Sequence, residues 1–442
     1  MPLLESSSLN PGVRKREVLG WAMYDFANSG YTTVVLTAVF NVYFIGVVAG
    51  NAPWATLAWT VALAVSSLLV MAIMPLLGAY ADLVGMKKRL LALTTFGCCA
   101  CTVGLAYVGP GDVAWAMVAI ILSNLFYAIG ESLIAAFLPE LARPQAIGRV
   151  SGWGWSFGYL GGMLALGLGL AWVMAAQGRG ETASQFVPVT IWLTAGLYAL
   201  ASLATFAWLQ ERVQPANALV APGPRAALGR LLHTWHEARS YQDFAWLLAC
   251  AVAYQAGISV VIALAAVYAE QVLGFKQIDT MMLVFLVNIA AAIGAFSFGY
   301  FQDRTGHKRA LGWTLIGWIV MTGLAVAATT PALFWLAAVL AGLCMGSSQS
   351  AGRAMAGLLA PAGRAAEFYG LWTFATRLSA VLGPITYGLV TWITLGNHRL
   401  AILSTGLFFV VGWALLHKVD MNRGRAAARR SHGDGTTAGA VK

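Results

Sequence analysis

Twelve stretches of this chain are apolar for long enough to cross a lipid bilayer as helices, and that limits the fold more than any other feature. At 1.5 Å of rise per residue, about 20 residues cover the ~30 Å of hydrocarbon. Runs of this order fall at about 20–49, 54–80, 89–108, 113–138, 149–175, 187–209, 243–270, 279–301, 309–328, 331–353, 365–395 and 397–418. They are continuous and lack period-2 alternation, which points to helices rather than barrel strands. A soluble domain needs roughly a quarter of its residues charged. Here 59% are hydrophobic and 10% charged, so lipid is the expected solvent for most of the surface, and the expected fold class is an all-α membrane protein.

The net charge of +10 does not argue for nucleic acid, because the basic residues sit in short clusters between apolar runs and no reader motif accompanies them. Arg14-Lys15-Arg16, Lys87-Lys88-Arg89, Arg143 and Arg149, Arg212, Arg225, Arg230 and Arg239, Arg304, Lys308 and Arg309, Arg364, and Lys418, Arg423, Arg425, Arg429 and Arg430 fall on one side of the membrane. Only Arg179, Lys276 and Arg399 fall on the other. This asymmetry places both termini in the cytoplasm and the chain in the cytoplasmic (inner) membrane. No leader with an apolar core and a small-residue cleavage site is visible, so the first helix is expected to serve as the targeting signal.

The longest polar stretch lies mid-chain. It gives an expected division into a cytoplasmic tail (1–19), a six-helix bundle (20–209), a linker (210–242) with a surface helix around Leu228–Arg239, a second six-helix bundle (243–418), and a basic disordered tail (419–442). A repeat supports two halves. GAYADLVGMKKR (78–89) follows the second run and GYFQDRTGHKR (299–309) the eighth, so Gly78, Asp82, Gly85, Lys87 and Lys88 match Gly299, Asp303, Gly306, Lys308 and Arg309 at a spacing of 221.

That repeated loop, Gly-x3-Asp-x2-Gly followed by bases, resembles the helix 2–3 signature of the major facilitator superfamily. The resemblance implies two pseudo-symmetric six-helix bundles, a solute site between them and alternating access. It also implies that the ten loop residues form a cytoplasmic latch favouring the outward-facing state. WAMYDFANSGYTTVVLTAVFNVYF (21–44), AFLPELA (136–142), SGWGWSFGYLGG (151–162) and EFYGLWTFATRLSAVLGP (367–384) resemble the "unknown major facilitator" branch, which includes the yeast vacuolar amino-acid effluxer of autophagy. That branch usually shows Tyr-Asn-Ala-Phe-Leu-Pro in helix 4; here Ile134-Ala135-Ala136-Phe137-Leu138-Pro139 stands there, a departure that bears on the solute.

Ionisable side chains at membrane depth are costly and point to function. Asp25 shares a helical face with Asn28 and Thr32 and reads as a solute- or proton-binding carboxylate about 8 Å from the cytoplasmic end, or as a polar residue closing the span. Glu131 forms a face with Asn124 and Tyr127 and is suited to exchange protons or to make a structural ion pair. Arg377, about twelve residues into its run, needs an anionic partner: Glu131, Asp25 or a substrate carboxylate. Arg353 closes its run and reads as a snorkelling interfacial residue, with Gln349 one turn earlier free to line a cavity. Gln255 and Asn288 are further solute contacts or interhelical ties. Gly154, Gly158 and Gly162, and Ala291, Ala295 and Gly299, form two small-residue seams, a pair able to slide against each other or to pack statically.

The leading expectation is a monomeric secondary transporter for an amino-acid-like zwitterion or carboxylate, coupled to H+ through Glu131 or Asp25. An exporter of amphiphilic drugs or lipids, with a cavity lined by Trp153, Trp155, Tyr159 and Trp372, and a non-transporting receptor or scaffold remain alternatives. No nucleotide-binding loop or nucleophile–base set marks a pump or an enzyme. Neither the cluster Cys98, Cys99 and Cys101 nor the scattered histidines form a metal-ligand pattern, and no cofactor is expected.

Overall fold

Twelve long helices account for nearly all of the computed structural model, which describes residues 6–212, 229, 241–275 and 277–437. The linker helix expected around Leu228–Arg239, with Arg225, Arg230 and Lys276, lies outside the described residues. The helices are α1 (Lys15–Val48), α2 (Ala55–Val84), α3 (Lys87–Leu105), α4 (Val113–Ala135), α5 (Ile147–Gly178), α6 (Ala183–Trp208), α7 (Gln242–Leu273), α8 (Gln277–Thr305), α9 (His307–Ala327), α10 (Pro331–Leu359), α11 (Ala365–Ile393) and α12 (His398–His417). The outer part of α1 loosens into π-helical stretches at Thr32–Ala38 and Phe44–Val48. Gly85, at φ 67°, ends α2 in the left-handed conformation that a residue with a Cβ resists. Eleven of these helices are long and apolar enough to cross a membrane; α11 is the exception, because Arg377 and a run of polar residues lower its hydropathy.

The polarity is inverted relative to a soluble protein. Phe96, Leu200, Leu407 and Trp392 point outward, while Asp25, Asn28, Ser66, Asn124 and Gln255 are buried. This is the arrangement expected where lipid replaces water outside.

Contacts repeat at an interval of six helices. α1 packs on α5 and α6 as α7 packs on α11 and α12; α3 packs on α4 and α6 as α9 packs on α10 and α12; α2 packs on α4 as α8 packs on α10. The halves meet where α2 lies along α11 and α5 along α8, two interfaces that exchange under the same shift. This is the major facilitator architecture expected from the repeat.

Three expectations are corrected. The apolar runs understate helix length: α1 starts at Lys15 and α10 continues to Leu359, which puts Asp25 about 15 Å and Arg353 about 9 Å inside their helices. The two seams do not face each other. Gly154, Gly158 and Gly162 lie against Asp25, Ser29 and Thr33 of α1 within the first half, whereas Gly152 of α5 meets Ala295 and Gly299 of α8 across the boundary. Finally, the segment expected to be a disordered tail forms α13 (Met421–Thr437). Its Arg423 bonds both carboxylate oxygens of Asp243 in the first turn of α7, at 2.7 and 2.8 Å. Arg212 Nη2 bonds one oxygen of Glu17 of α1 at 2.7 Å, so the exit of each bundle is tied to its first helix.

Candidate functional site

Three ion pairs join the halves: Arg149–Asp303 at the helix ends, and two farther inside, in each of which the carboxylate comes from the first half and the guanidinium from the second. Glu131 of α4 accepts from Arg377 Nη2 of α11 at 3.2 Å; the Glu131 side chain is 36% exposed and that of Arg377 18%. Arg377 also lies 6.0 Å from the centre of the Tyr127 ring, which stacks on Tyr31. Glu131 and Tyr127 meet Arg377 together because they are one turn apart on α4. Both side chains of this pair are thus partly exposed.

The second pair is sealed. Arg353 Nη1 of α10 reaches Asp25 Oδ2 of α1 at 2.7 Å, with both side chains under 10% exposed. Arg353 Nη2 donates to the Ser151 carbonyl at 2.8 Å and Nε to Ser151 Oγ at 3.2 Å, both on α5. The guanidinium lies 4.7 Å from the Trp21 ring centre and 5.2 Å from that of Trp155, a cation–π environment on a desolvated charge. Tyr369 Oη donates to the Arg353 carbonyl at 2.7 Å. Gly154 makes room for this node, since a Cβ there would meet Asp25, Arg353 and Trp21 together. The snorkelling expectation for Arg353 is therefore overturned: its side chain does not turn back to an interface but enters the other bundle.

The remaining expected residues divide. Gln255 Nε2 of α7 donates to Gln349 Oε1 of α10 at 2.8 Å, so these two come together within the second half. Asn124 turns to Ser66 of α2 at 3.1 Å, leaving its buried Oδ1 without a protein partner. Asn28 is buried and accepts only a long 3.5 Å contact from Ser29 Oγ. Asn288 donates to the Val284 carbonyl of its own helix and makes no described bond to the network.

The loop residues gather at the face where α1 begins and α12 ends, here called the terminal face. Asp303 accepts from the Gly148 and Arg149 amides at 2.9 and 3.1 Å and from Arg149 Nε at 3.0 Å, so a carboxylate from α8 sits on the N-terminus of α5. Asp82 of α2 accepts from the Glu367 amide at 2.8 Å in the first turn of α11, the pseudo-symmetric arrangement. Gly78 and Gly299 permit the approach: a Cβ on Gly78 would run into the Ala366 carbonyl, and one on Gly299 would lie 3.0 Å from Arg149 Cα. Gly306, at φ 93°, turns the chain from α8 into α9 as Gly85 does from α2 into α3.

The bases are out of the expected register by one. Lys88 Nζ donates to the Leu209 carbonyl beyond α6 at 2.6 Å, and Lys308 Nζ donates to the His417 and Val419 carbonyls at the end of α12, at 3.1 and 2.6 Å. Lys88 thus corresponds to Lys308, and Arg89 to Arg309. Lys87 corresponds instead to His307; it is buried and paired with Glu140. Met86 is the extra residue that shifts the count. Glu211, just past α6, accepts from the Lys87 and Lys88 amides at 2.6 and 3.1 Å. Burial pushes its carboxyl above the usual range, partly offset by those amides.

The family model described as "Vacuole effluxer Atg22 like" matches residues 55–429. The chain belongs to this Atg22-like family. Among curated relatives of this Atg22-like protein, the uncharacterized MFS-type transporter YxiO of Bacillus subtilis (strain 168) is 25% identical over 417 residues, covering 90% of this chain and 93% of that one. Autophagy-related protein 22-1 of Aspergillus fumigatus is 24% identical over 306 residues, covering 63% of this chain and 49% of that protein. The chain thus spans about half the length of that fungal relative. Among solved structures, the human organic anion transporter MFSD10 (TETRAN) superposes with a TM-score of 0.72 at 16% identity, over 91% of this chain and 99% of that one. The major facilitator proton:xylose symporter XylE gives 0.67 at 15%, over 91% and 94%; these likenesses bear on fold. Family and fold together mark this Atg22-like protein as a multi-pass membrane transporter with the major-facilitator fold. Among the described residues no cluster of metal-ligating side chains occurs.

Proposed function

We propose that this transporter moves a small amino-acid-like zwitterion or carboxylate across the cytoplasmic membrane by alternating access, with protons coupled through Glu131. The observation that carries the reading is the Glu131–Arg377 pair, which is at once cross-bundle, ionic and partly exposed. A solute carboxylate offers Arg377 the anionic acceptor that Glu131 supplies through one oxygen, and can accept from two guanidinium nitrogens at once. Once displaced, Glu131 either meets the ammonium of a zwitterion or takes a proton rather than remain an unpaired anion in a low-dielectric cleft. Solute and proton then enter as one electrostatic unit.

The basic-residue asymmetry assigns the terminal face to the cytoplasm. The ties running from Asp82 and Asp303 up to Asp25–Arg353 close that face, so the cleft is accessible from the opposite side. Asp82 and Asp303, with their flanking glycines and bases, act as the latch of this state. An apolar or amphiphilic cargo is less favoured, because two of the four aromatic side chains expected to line its cavity are engaged elsewhere: Trp155 flanks Arg353, and Trp153 Nε1 donates to Tyr300 Oη at 3.2 Å.

The test is uptake into proteoliposomes under an imposed inward proton gradient, screened over amino acids, other carboxylates, sugars and amphiphiles. Gradient-driven accumulation of an amino acid or carboxylate is expected, and Glu131→Gln should retain exchange while losing accumulation. Accumulation that ignores the gradient would discard proton coupling. Binding without flux would favour the receptor reading.

A further inference from the structure

The segment ahead of α1 is not a loose tail. Leu9 forms an antiparallel bridge with Ala142, in the loop between α4 and α5. Asn10 N donates to the Leu141 carbonyl at 3.0 Å, while its side-chain amide donates to the Pro139 and Glu140 carbonyls, each at 2.9 Å. Arg143 N returns a bond to the Ser8 carbonyl at 3.1 Å, and Arg143 Nε donates to the Leu9 carbonyl at 2.8 Å. Ser8 and Leu9 are buried by these contacts. Residues 8–10 thus act as an added edge that fixes the connection around the short helix Leu138–Leu141.

That loop leads directly into the N-terminus of α5, where Asp303 of the other half is held. Arg149 occupies the junction. Its Nε bonds Asp303 at 3.0 Å, its guanidinium lies 5.6 Å from the centre of the Tyr300 ring, and its Nη1 donates to Ser8 Oγ at 3.2 Å. Asp303 and Tyr300 belong to the half that must move away when the terminal face opens; Ser8 belongs to the half that keeps Arg149. The guanidinium is therefore aimed at Asp303 by a bond from its own side.

We infer that residues 8–10 are a strap, and that Ser8 and Asn10 are positioning residues which hold Arg149 on Asp303 and so favour the state closed at the terminal face. Asn10 sets the height of the loop through three backbone contacts, and Ser8 sets the rotamer of Arg149. Neither touches the cleft or the ion pairs within it, so the strap adjusts the balance between the two access states without entering the solute site. The inference does not depend on which solute is carried.

The experiment measures that balance directly. Spin labels at Arg16→Cys and Gln242→Cys, exposed positions at the starts of α1 and α7 and outside the latch, report the separation of the halves at the terminal face by pulsed electron–electron distance measurement. The background has Cys98, Cys99, Cys101, Cys250 and Cys344 replaced. Ser8→Ala and Asn10→Ala are each expected to raise the ratio of long to short distances about fivefold, the factor set by one hydrogen bond to a positioned group. Ser8→Thr, which keeps the hydroxyl, should restore the parent ratio. In an Asp303→Asn background the same substitutions should have little further effect, because the contact they serve is already weakened. A merely structural anchor would behave otherwise: thermal stability in detergent would fall while the distance ratio stayed at its parent value. Unchanged ratios in both variants, or a shift that persists undiminished alongside Asp303→Asn, would overturn the proposal.

Discussion

Of the three cross-bundle ion pairs, the two that lie well inside their helices use the same chemistry in opposite surroundings. Arg353 is enclosed by Asp25, Ser151 and two indoles, whereas Arg377 and Glu131 meet at 3.2 Å with each side chain partly exposed. A charge with each nitrogen bonded to protein and little solvent access is expensive to disturb. One with a single partner and an open flank is available to a competitor. The first pair is thus suited to hold a conformation and the second to exchange partners, although the two carboxylates come from helices of one bundle and the two arginines from the other.

The comparison breaks first at Arg353. Arg353→Ala leaves Asp25 buried without its partner and should cost about 3–5 kcal/mol, seen as a large drop in thermal midpoint in detergent. Asp25→Asn combined with Arg353→Met should recover much of the loss, and no recovery would mean that the pair itself is not the determinant. Arg377→Ala should insert and melt like the parent, yet lower uptake at least ~30-fold, as expected when a charged contact worth ~2 kcal/mol or more is truncated. Normal transport by that variant would remove Arg377 from the site. Gly154→Ala places a methyl against Asp25, Arg353 and Trp21 and is expected to destabilise by about 1–3 kcal/mol; the same change at Gly167, which has open space around it, serves as the control. Smallest are Lys88→Ala and Lys308→Ala, each worth ~1 kcal/mol or less and similar to each other in melting experiments. If Lys87→Ala rather than Lys88→Ala matched Lys308→Ala, the corrected register would be wrong.

Much of this was readable before any coordinates. Glu131 and Arg377 stand out because an ionisable group inside an apolar run has few explanations, and Asp82 and Asp303 because the loop occurs twice. Arg353 was misread for a definite reason. Its run ends, by hydropathy, at the arginine itself, but the helix goes on as Ala354-Met355-Ala356-Gly357-Leu358-Leu359, largely buried, with Gly357 against Pro139 and Ile147 of the other bundle. One numerical signal was present: Glu131 and Arg353 each stand eight residues ahead of the proline that follows their helix, Pro139 and Pro361. The two bundles therefore place a charge at the same point, negative in one and positive in the other. The seams were misassigned because α5 carries glycines on two faces, Gly148 and Gly152 toward α8 and Gly154, Gly158 and Gly162 toward α1; spacing identifies a face but not its neighbour. The bridge between Leu9 and Ala142 joins residues 133 positions apart and has no local periodic signature.

The partition of charge also bears on how such a molecule can be assembled. Were the first bundle to pair with a second copy of itself across the same two-fold, Asp25 and Glu131 would face their own kind, and a doubled second bundle would oppose arginine to arginine. Like-sign opposition of desolvated groups penalises both homodimers, while the mixed arrangement neutralises every member. Co-expressed as separate polypeptides, the halves should select each other over themselves. Whatever symmetric ancestor the repeat descends from, fusion into one chain freed these positions to diverge in sign.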